Sequence, residues 1–402
     1  MCISNTLVLL MIKITASVFL KRGREASVKR FHPWVFSGAI QSMEGEPAEG
    51  DWVEVKDFQK ETLGFGHYQK GSITVRLLSF SKKKPDDSIY QHKIENAFNQ
   101  RLFTKVINEH TNCFRLIHGE GDGLPGLIVD VYNGVAVMQA HSPGIHHHRH
   151  SIAEALKAAL GNTLHTIFYK SQNTLNKKTD NEYLFGLGVV PHVVTEHGNK
   201  FYVVWEEGQK TGFFLDQREN RKLLGQMSPG ASVLNTFCYT GGFSVYALAA
   251  GAALVHSVDA SEKAIDLTRK NIELNGFDPS QHECFAADTF DFLKDKKDRY
   301  DLIILDPPAF AKHKDARHQA MKGYQRLNAE AMKIIKPRGV IFTFSCSQVV
   351  DPQLFYDTVV SSAIQAGRAI KVLQHIGQPA DHPVSIYHPE GEYLKGLVLY
   401  VE

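Results

Sequence analysis

From about residue 190 to the end, strand-like apolar runs alternate with helical stretches, and this order restricts the fold more than any other feature of the chain. "SVLNTF", "ALVHSVDA", "HECFAAD", "YDLIILD" and "GVIFTFS" read as strands. Between them, "GGFSVYALAAG" and "SEKAIDLTRKNIELNG" have helical periodicity, the second with Ser261 as N-cap and Gly276 as its stop. A strand that is followed by a helix and then another strand has the crossover a parallel neighbour requires. The alternation therefore predicts an α/β domain over 191–402, a parallel sheet with helices on both faces. "RAIKVLQHI" and "YLKGLVLYVE" add two closing strands.

Two different textures precede it. Residues 12–82 look all-β: "ITASVFL", "DWVEVKD", "ETLGFGHY" and "SITVRLL" are short apolar runs divided by Gly, Pro and charge. Inside them, "LKRGREASVKRFHPWVFSGAI" sets Lys21, Arg22, Arg24, Lys29 and Arg30 close to Phe31, Trp34 and Phe36. Phosphates need cations and unstacked bases need ring faces, so this is a candidate RNA surface. The plain alternative is a solvated turn followed by core aromatics. Residues 83–190 are mixed, with helical "DDSIYQHKIENAFNQRLFTKVI" and "HSIAEALKAAL" around a strand pair, "GLIVDVYNGVAVMQAH", turned at Asn133-Gly134. The run "HHHRH", His146 to His150, lacks ordered ligand spacing and is expected to be a solvated loop.

Composition removes several function classes. A net charge of +2 excludes a globally basic coat while allowing a local basic patch. Five scattered cysteines without a CxxC pair argue for a reducing compartment and against zinc. "MCISNTLVLLMIK" has no basic residues ahead of its apolar run, and Lys13 interrupts it too early for a membrane span. The expectation is a cytoplasmic protein with no metal and no membrane contact, in which residues 1–10 are dispensable and Met11 is an alternative start. Homodimerisation is left open.

In an open parallel sheet, ligands sit beyond the carboxyl ends of the strands, so what each strand ends with matters. The first runs into "NTFCYTGGFS", where Gly241 and Gly242 permit close approach of the backbone and open a helix. The second ends at Asp259, 17 residues after Gly242, placed to accept both hydroxyls of a ribose. The third ends at Asp288, a partner for an adenine amine or a plain helix cap. Together they describe a nucleoside pocket without phosphate-binding machinery. The fourth ends in "LDPPAF", whose prolines fix the Asp306 carboxylate and the Phe310 ring at the sheet's edge. The fifth ends at Cys346. If the last two are neighbours, their tips lie about 4.8 Å apart. Carbon 5 of a pyrimidine is a poor nucleophile. Thiolate addition at carbon 6 activates it, which gives Cys346 the role of nucleophile and Asp306 that of holding the base.

These motifs, with "GQKTGFFLDQRENR" and "DHPVSIYHPEGEYLKGLVL", resemble S-adenosylmethionine-dependent methyltransferases of the 23S rRNA cytosine-5 type. The resemblance runs from about residue 12 to the end. It implies an all-β PUA RNA-binding barrel at 12–82, a small central α/β domain at 83–190 and a Rossmann-like catalytic domain at 191–402. It also implies S-adenosyl-L-methionine as cofactor and 23S rRNA as partner. Phe237, Tyr239, Thr240 and Gly241 would cradle the methionine part, Asp259 the ribose and Asp288 the adenine, with Lys210 and Asp216 on an upper wall. Phe310 would face the RNA, while Lys21, Arg22, Arg24, Lys29 and Arg30 would contact its backbone. Many such enzymes carry a second cysteine after the proline pair; Ala309 and Phe310 stand there instead. Two other readings are weighed against this one. An exocyclic-amine methyltransferase would leave Cys346 idle, and "DPPAF" sets the aromatic one residue late for it. An inactive RNA-binding protein of the same fold would have no need of Asp259, Asp288 and Asp306 together.

Overall fold

The structure, a computed structural model, describes residues 12–172, 174–175, 179–294, 299–311 and 313–402. The segment 1–10 and Met11, for which dispensability and an alternative start were expected, lie outside them. The chain separates into two compact units. One comprises residues up to Val190 with Trp205–Gly212 and Ala380–Gly391; the other comprises Pro191–Val204, Phe213–Pro379 and Glu392–Glu402. Among the described residues, no helix is long and apolar enough to cross a membrane.

The four expected N-terminal strands form at Ile14–Leu20, Trp52–Lys56, Thr62–Tyr68 and Ile73–Ser79, within a six-stranded sheet. Their apolar residues close on a core that includes Val18, Val53, Val55 and Val75. The basic stretch is not strand throughout, because Ala26–Lys29 make one helical turn. A five-stranded sheet follows, and the hairpin Leu127–Tyr132 with Val135–Ala140 turns where predicted. Asn133 and Gly134 take φ of 44° and 83°, the left-handed pair that a two-residue hairpin turn requires. The histidine run corrects the expectation of a solvated loop. Pro143–His147 form a helical turn capped by Ser142, and His148 is buried against His67, ring centroids 5.0 Å apart. The Trp52 ring meets His67 and the Tyr90 ring meets His148, so these imidazoles pack among aromatic rings brought together from distant parts of the sequence.

The second unit carries the parallel sheet. Its strands are β1 Ser232–Thr236, β2 Leu254–Asp259, β3 His282–Ala286, β4 Tyr300–Leu305, β5 Ile335–Ser345, β6 Ile370–Gly377 and β7 Lys395–Val401. They lie in the order β3-β2-β1-β4-β5-β7-β6, parallel except for β7, which runs antiparallel to β5 and β6. Helices α1 Arg218–Met227, α2 Gly242–Ala249, α3 Glu262–Leu274, α4 Thr289–Leu293, α5 Arg317–Ile334 and α6 Pro352–Ala366 accompany it. Ser261 caps α3 through Ala264 N–H, and Gly276 takes φ 71° just past its end, as the sequence predicts. β1, β4 and the C-terminal half of β5 are almost wholly buried, as central strands of a sheet covered on both faces are. Strand order reverses between β1 and β4, so the crevice beyond their carboxyl ends is the natural place for a ligand.

Candidate active site

The loop after β1 is held in an unfavourable conformation. Phe237, Tyr239 and Gly241 have φ of 53°, 46° and 74°. For the two aromatics, left-handed backbone costs about 1–2 kcal/mol each. The surroundings enforce it: Tyr239 N–H donates to Asp259 Oδ2 at 3.0 Å, Thr268 Oγ1 donates to Tyr239 O at 2.9 Å, and Asn271 Nδ2 donates to Thr240 O at 2.8 Å. At Gly241 a Cβ would stand 2.6 Å from Thr268 Cγ2, so glycine is required. Strain that is fixed from several sides at a sheet's mouth is typical of a ligand clamp. Residue-type reading did not reveal it.

The carboxylates sit at the tips of neighbouring strands. Asp259 closes β2 opposite Ala286 of β3, and its Oδ1 accepts from Ser261 N–H at 2.9 Å. Asp288 is exposed and caps α4, with Phe290 N–H and Asp291 N–H both on Oδ1 at 2.8 and 3.1 Å, which leaves Oδ2 turned to other uses. Asp216 lies in the turn Leu215–Gln217 and accepts from Tyr393 Oη at 2.6 Å. The Phe214 ring beside it meets Tyr239 edge-on, centroids 5.1 Å apart, so this segment borders the strained loop. Lys210 belongs to the other unit, in left-handed backbone at φ 48°, next to Thr211, whose Oγ1 donates to Asp130.

Strands β4 and β5 are parallel neighbours, as the pairing of Asp306 with Cys346 requires. Leu305 is level with Thr343, so Cys346 stands two positions further along than Asp306. Side chains tie the two tips together. Ser347 Oγ donates to Ala311 O at 2.7 Å, and Ser345 Oγ donates to Tyr324 Oη at 3.0 Å. The Tyr324 ring packs on Phe310 with centroids 4.7 Å apart. Burial pushes the Tyr324 hydroxyl up to about 12, and the negative charges of Cys346 and Asp306 add to the shift. One hydroxyl thus senses both groups. Cys346 and Cys284 are both partly buried, whereas Cys238 is buried. Burial raises the Cys238 thiol well above its ordinary range, helped by Asp259, and takes Cys284 up to about 11. Neither is fit to be a nucleophile.

The segment before α1 is anchored by a buried ion cluster that the sequence did not suggest. Arg221 donates to Glu196 Oε1 at 2.9 Å and Oε2 at 2.8 Å, Arg218 reaches Oε2 at 3.3 Å, and Tyr246 Oη donates to Oε1 at 3.0 Å. Arg221 also donates to Phe214 O at 2.9 Å. Tyr324 and Lys395 were overlooked as well. The signal for Lys395 was available: it is the one cation inside the apolar run "YLKGLVLYV".

In the first unit, Lys21, Arg22, Arg24, Lys29 and Arg30 are all exposed. Lys29 is committed to the Asp57 carboxylate at 3.1 Å, and Arg22 lies over the Phe58 ring. Phe31 and Phe36 are about half exposed, against the reading of them as core. Among the described residues one set could hold a metal ion, His32, His388 and Glu390, where Glu390 contacts the two imidazoles at 3.7 and 3.8 Å.

Comparison with known proteins agrees with this layout. Residues 115–391 match the family described as S-adenosylmethionine-dependent methyltransferase, and residues 18–80 match the PUA-like domain. The chain is 40% identical over 398 residues to "Ribosomal RNA large subunit methyltransferase I" of Pseudoalteromonas atlantica, covering 96% of this chain and 100% of that one. It is 38% identical over 397 residues to the protein of the same name from Aeromonas hydrophila, covering 96% and 99%. Among solved structures, a SAM-dependent methyltransferase from Streptococcus mutans is similar with TM-score 0.82 at 22% identity, covering 97% of this chain and 100% of that one. A methyltransferase complexed with SAH is similar with TM-score 0.83 at 24% identity over the same shares.

Proposed function

Because the chain belongs to the S-adenosylmethionine-dependent methyltransferases, we propose that it methylates carbon 5 of a cytosine in large-subunit ribosomal RNA through a covalent cysteine adduct. The observation that carries the reading is that Asp306 and Cys346 follow adjacent parallel strands whose tips are tied together, with Tyr324 in electrostatic reach of both. The residues beside it fit the cofactor: a strained backbone loop, two carboxylates on successive strand tips and no phosphate-binding lysine loop among them. Phe237, Tyr239, Thr240 and Gly241 would hold its methionine part, Asp259 the ribose hydroxyls and Asp288, through Oδ2, the adenine amine, with Asp216 on the pocket's upper wall. When bound, S-adenosylmethionine supplies an electrophilic methyl group. Cys346 makes carbon 5 able to accept it. Its thiolate bonds to carbon 6, and the C5–C6 π pair moves onto carbon 5. Asp306 holds the N3 and N4 edge of the ring, and Phe310 lies beside it. Once carbon 5 carries the methyl group, a base takes up its proton, the C5–H pair re-forms the C5–C6 double bond and the thiolate leaves carbon 6.

In this reading residues 12–82 form an RNA-binding domain, 83–190 a central domain and 191–402 the catalytic one. Mass-spectrometric mapping of large-subunit rRNA with and without this gene should reveal one 5-methylcytosine that depends on it. RNA carrying 5-fluorocytosine lacks the proton that must leave, so it should trap a covalent complex with the wild type and none with Cys346→Ala. Methyl transfer by Cys346→Ala at near wild-type rate would instead favour methylation of an exocyclic amine.

A further inference from the structure

Lys395 opens β7 directly opposite Ser345, the last residue of β5. It is 8% exposed, although lysine is almost never buried without partners. Its ammonium donates to Ser347 O at 2.7 Å and to Val350 O at 2.6 Å. These carbonyls flank the turn that leaves Cys346, so the cation is built into the loop that presents the thiol. Two of its three N–H donors are used by the loop.

We propose that Lys395 is a positioning residue for the methyl transfer, holding the 345–350 loop and keeping Cys346 as a thiolate through the field of a buried ammonium. The inference rests on the reading of Cys346 as the nucleophile. A free thiol titrates near 8.5, and a neighbouring cation is the usual means of lowering it. Burial pulls the Lys395 value below its ordinary range, while Cys346, Asp351 and Glu392 raise it, so the ammonium and the thiolate stabilise each other. Charged and titratable groups that act on this pair include Tyr324 on α5, Asp306 after β4, Asp351 at the start of α6 and Glu392 before β7. The carboxylates oppose a thiolate, Tyr324 with its raised value carries no charge near neutral pH, and the Lys395 ammonium favours the thiolate. The balance is simple: the thiol proton is released to water, Lys395 keeps its own, and the sulfur lone pair is then available for carbon 6.

The test is the pH profile of alkylation at Cys346, read by mass spectrometry on the whole protein without RNA or cofactor. Iodoacetamide reacts with the thiolate, so the midpoint reports the thiol directly. Lys395→Gln keeps N–H donors for the loop carbonyls but has no charge; Lys395→Met removes both. With Lys395→Gln the midpoint should rise by about one pH unit or more, a roughly tenfold loss of thiolate below it. The pH at which methyl transfer becomes half-maximal should rise in parallel. An unchanged midpoint in Lys395→Gln, with a melting temperature like the wild type, would overturn the electrostatic role and leave only loop support. Lys395→Met carries the same measurement should the glutamine variant fail to fold. Loss of the nucleophile reading would appear elsewhere, as activity in Cys346→Ala, so the two failures are separable.

Discussion

At the scale of single residues, the site divides labour between a sulfur that must be reactive and a carboxylate that must be aimed. Burial raises the Cys238 and Cys284 thiols, whereas Cys346 is partly buried at a polar strand end between two serines. Asp306 is followed by Pro307 and Pro308, which restrict its backbone, in a loop tied to β5 by the hydrogen bond from Ser347 Oγ to Ala311 O. Asp306→Asn keeps that shape but replaces an acceptor that can also carry a proton with an amide that cannot. Methyl transfer should fall about 10²–10⁴-fold, the range for loss of a positioned acid or base. Binding of S-adenosylmethionine, measured by calorimetry, should be unchanged, because in the proposed reading Asp306 holds the base and not the cofactor. A matching loss of cofactor affinity would place Asp306 in the cofactor pocket instead.

At the scale of elements, packing decides what local pattern cannot. The hairpin His192–Glu196 with Asn199–Val203 is pinned to α1 by Glu196 between two guanidinium groups. Glu196→Ala would leave Arg218 and Arg221 buried without their counter-charge, and urea unfolding should show a loss of about 3–5 kcal/mol. His148 supplies a different prediction. Burial lowers its value from 6.5 to about 4, with His147 adding to the shift and Asp51 opposing it. A histidine depressed in the folded state contributes fully above about 6.5, and that contribution is lost as pH falls toward 4, since the unfolded chain takes the proton first. The loss is on the order of 3 kcal/mol. His148→Gln should therefore flatten the melting temperature between these pH values; a slope equal to the wild type would assign it to other groups. The strands of the parallel sheet were legible in sequence because each is an apolar run bounded by turn residues, and the strand-end carboxylates could be read from chain position alone. Glu196 and Tyr324 were not, because their roles depend on partners distant in sequence, while Lys395 showed only as a cation inside an apolar run. The left-handed aromatics of the first loop were hidden for another reason: no residue type announces that tertiary contacts will hold Phe237 and Tyr239 at positive φ.

For the whole molecule, charge sets the terms on which RNA can be held. With 45 basic against 43 acidic residues, affinity cannot come from the net field and must come from where the cations stand. Lys21, Arg22, Arg24 and Arg30 are exposed on one short segment, beside half-exposed Phe31 and Phe36. Each phosphate neutralised on a single strand contributes about 0.7 to the slope of log affinity against log salt. Replacing the four cations with glutamine should flatten that slope by up to about 3 and weaken RNA binding most at low salt. Lys29 is kept out of the set, since its loss would also strip the buried Asp57 of its counter-charge and confuse folding with binding. Cofactor affinity should not move, and methyl transfer should recover at saturating RNA, because these residues act on encounter rather than on the base. An unaltered salt slope would return the segment to the plainer reading, a solvated turn, and require another surface of the protein to hold the RNA backbone.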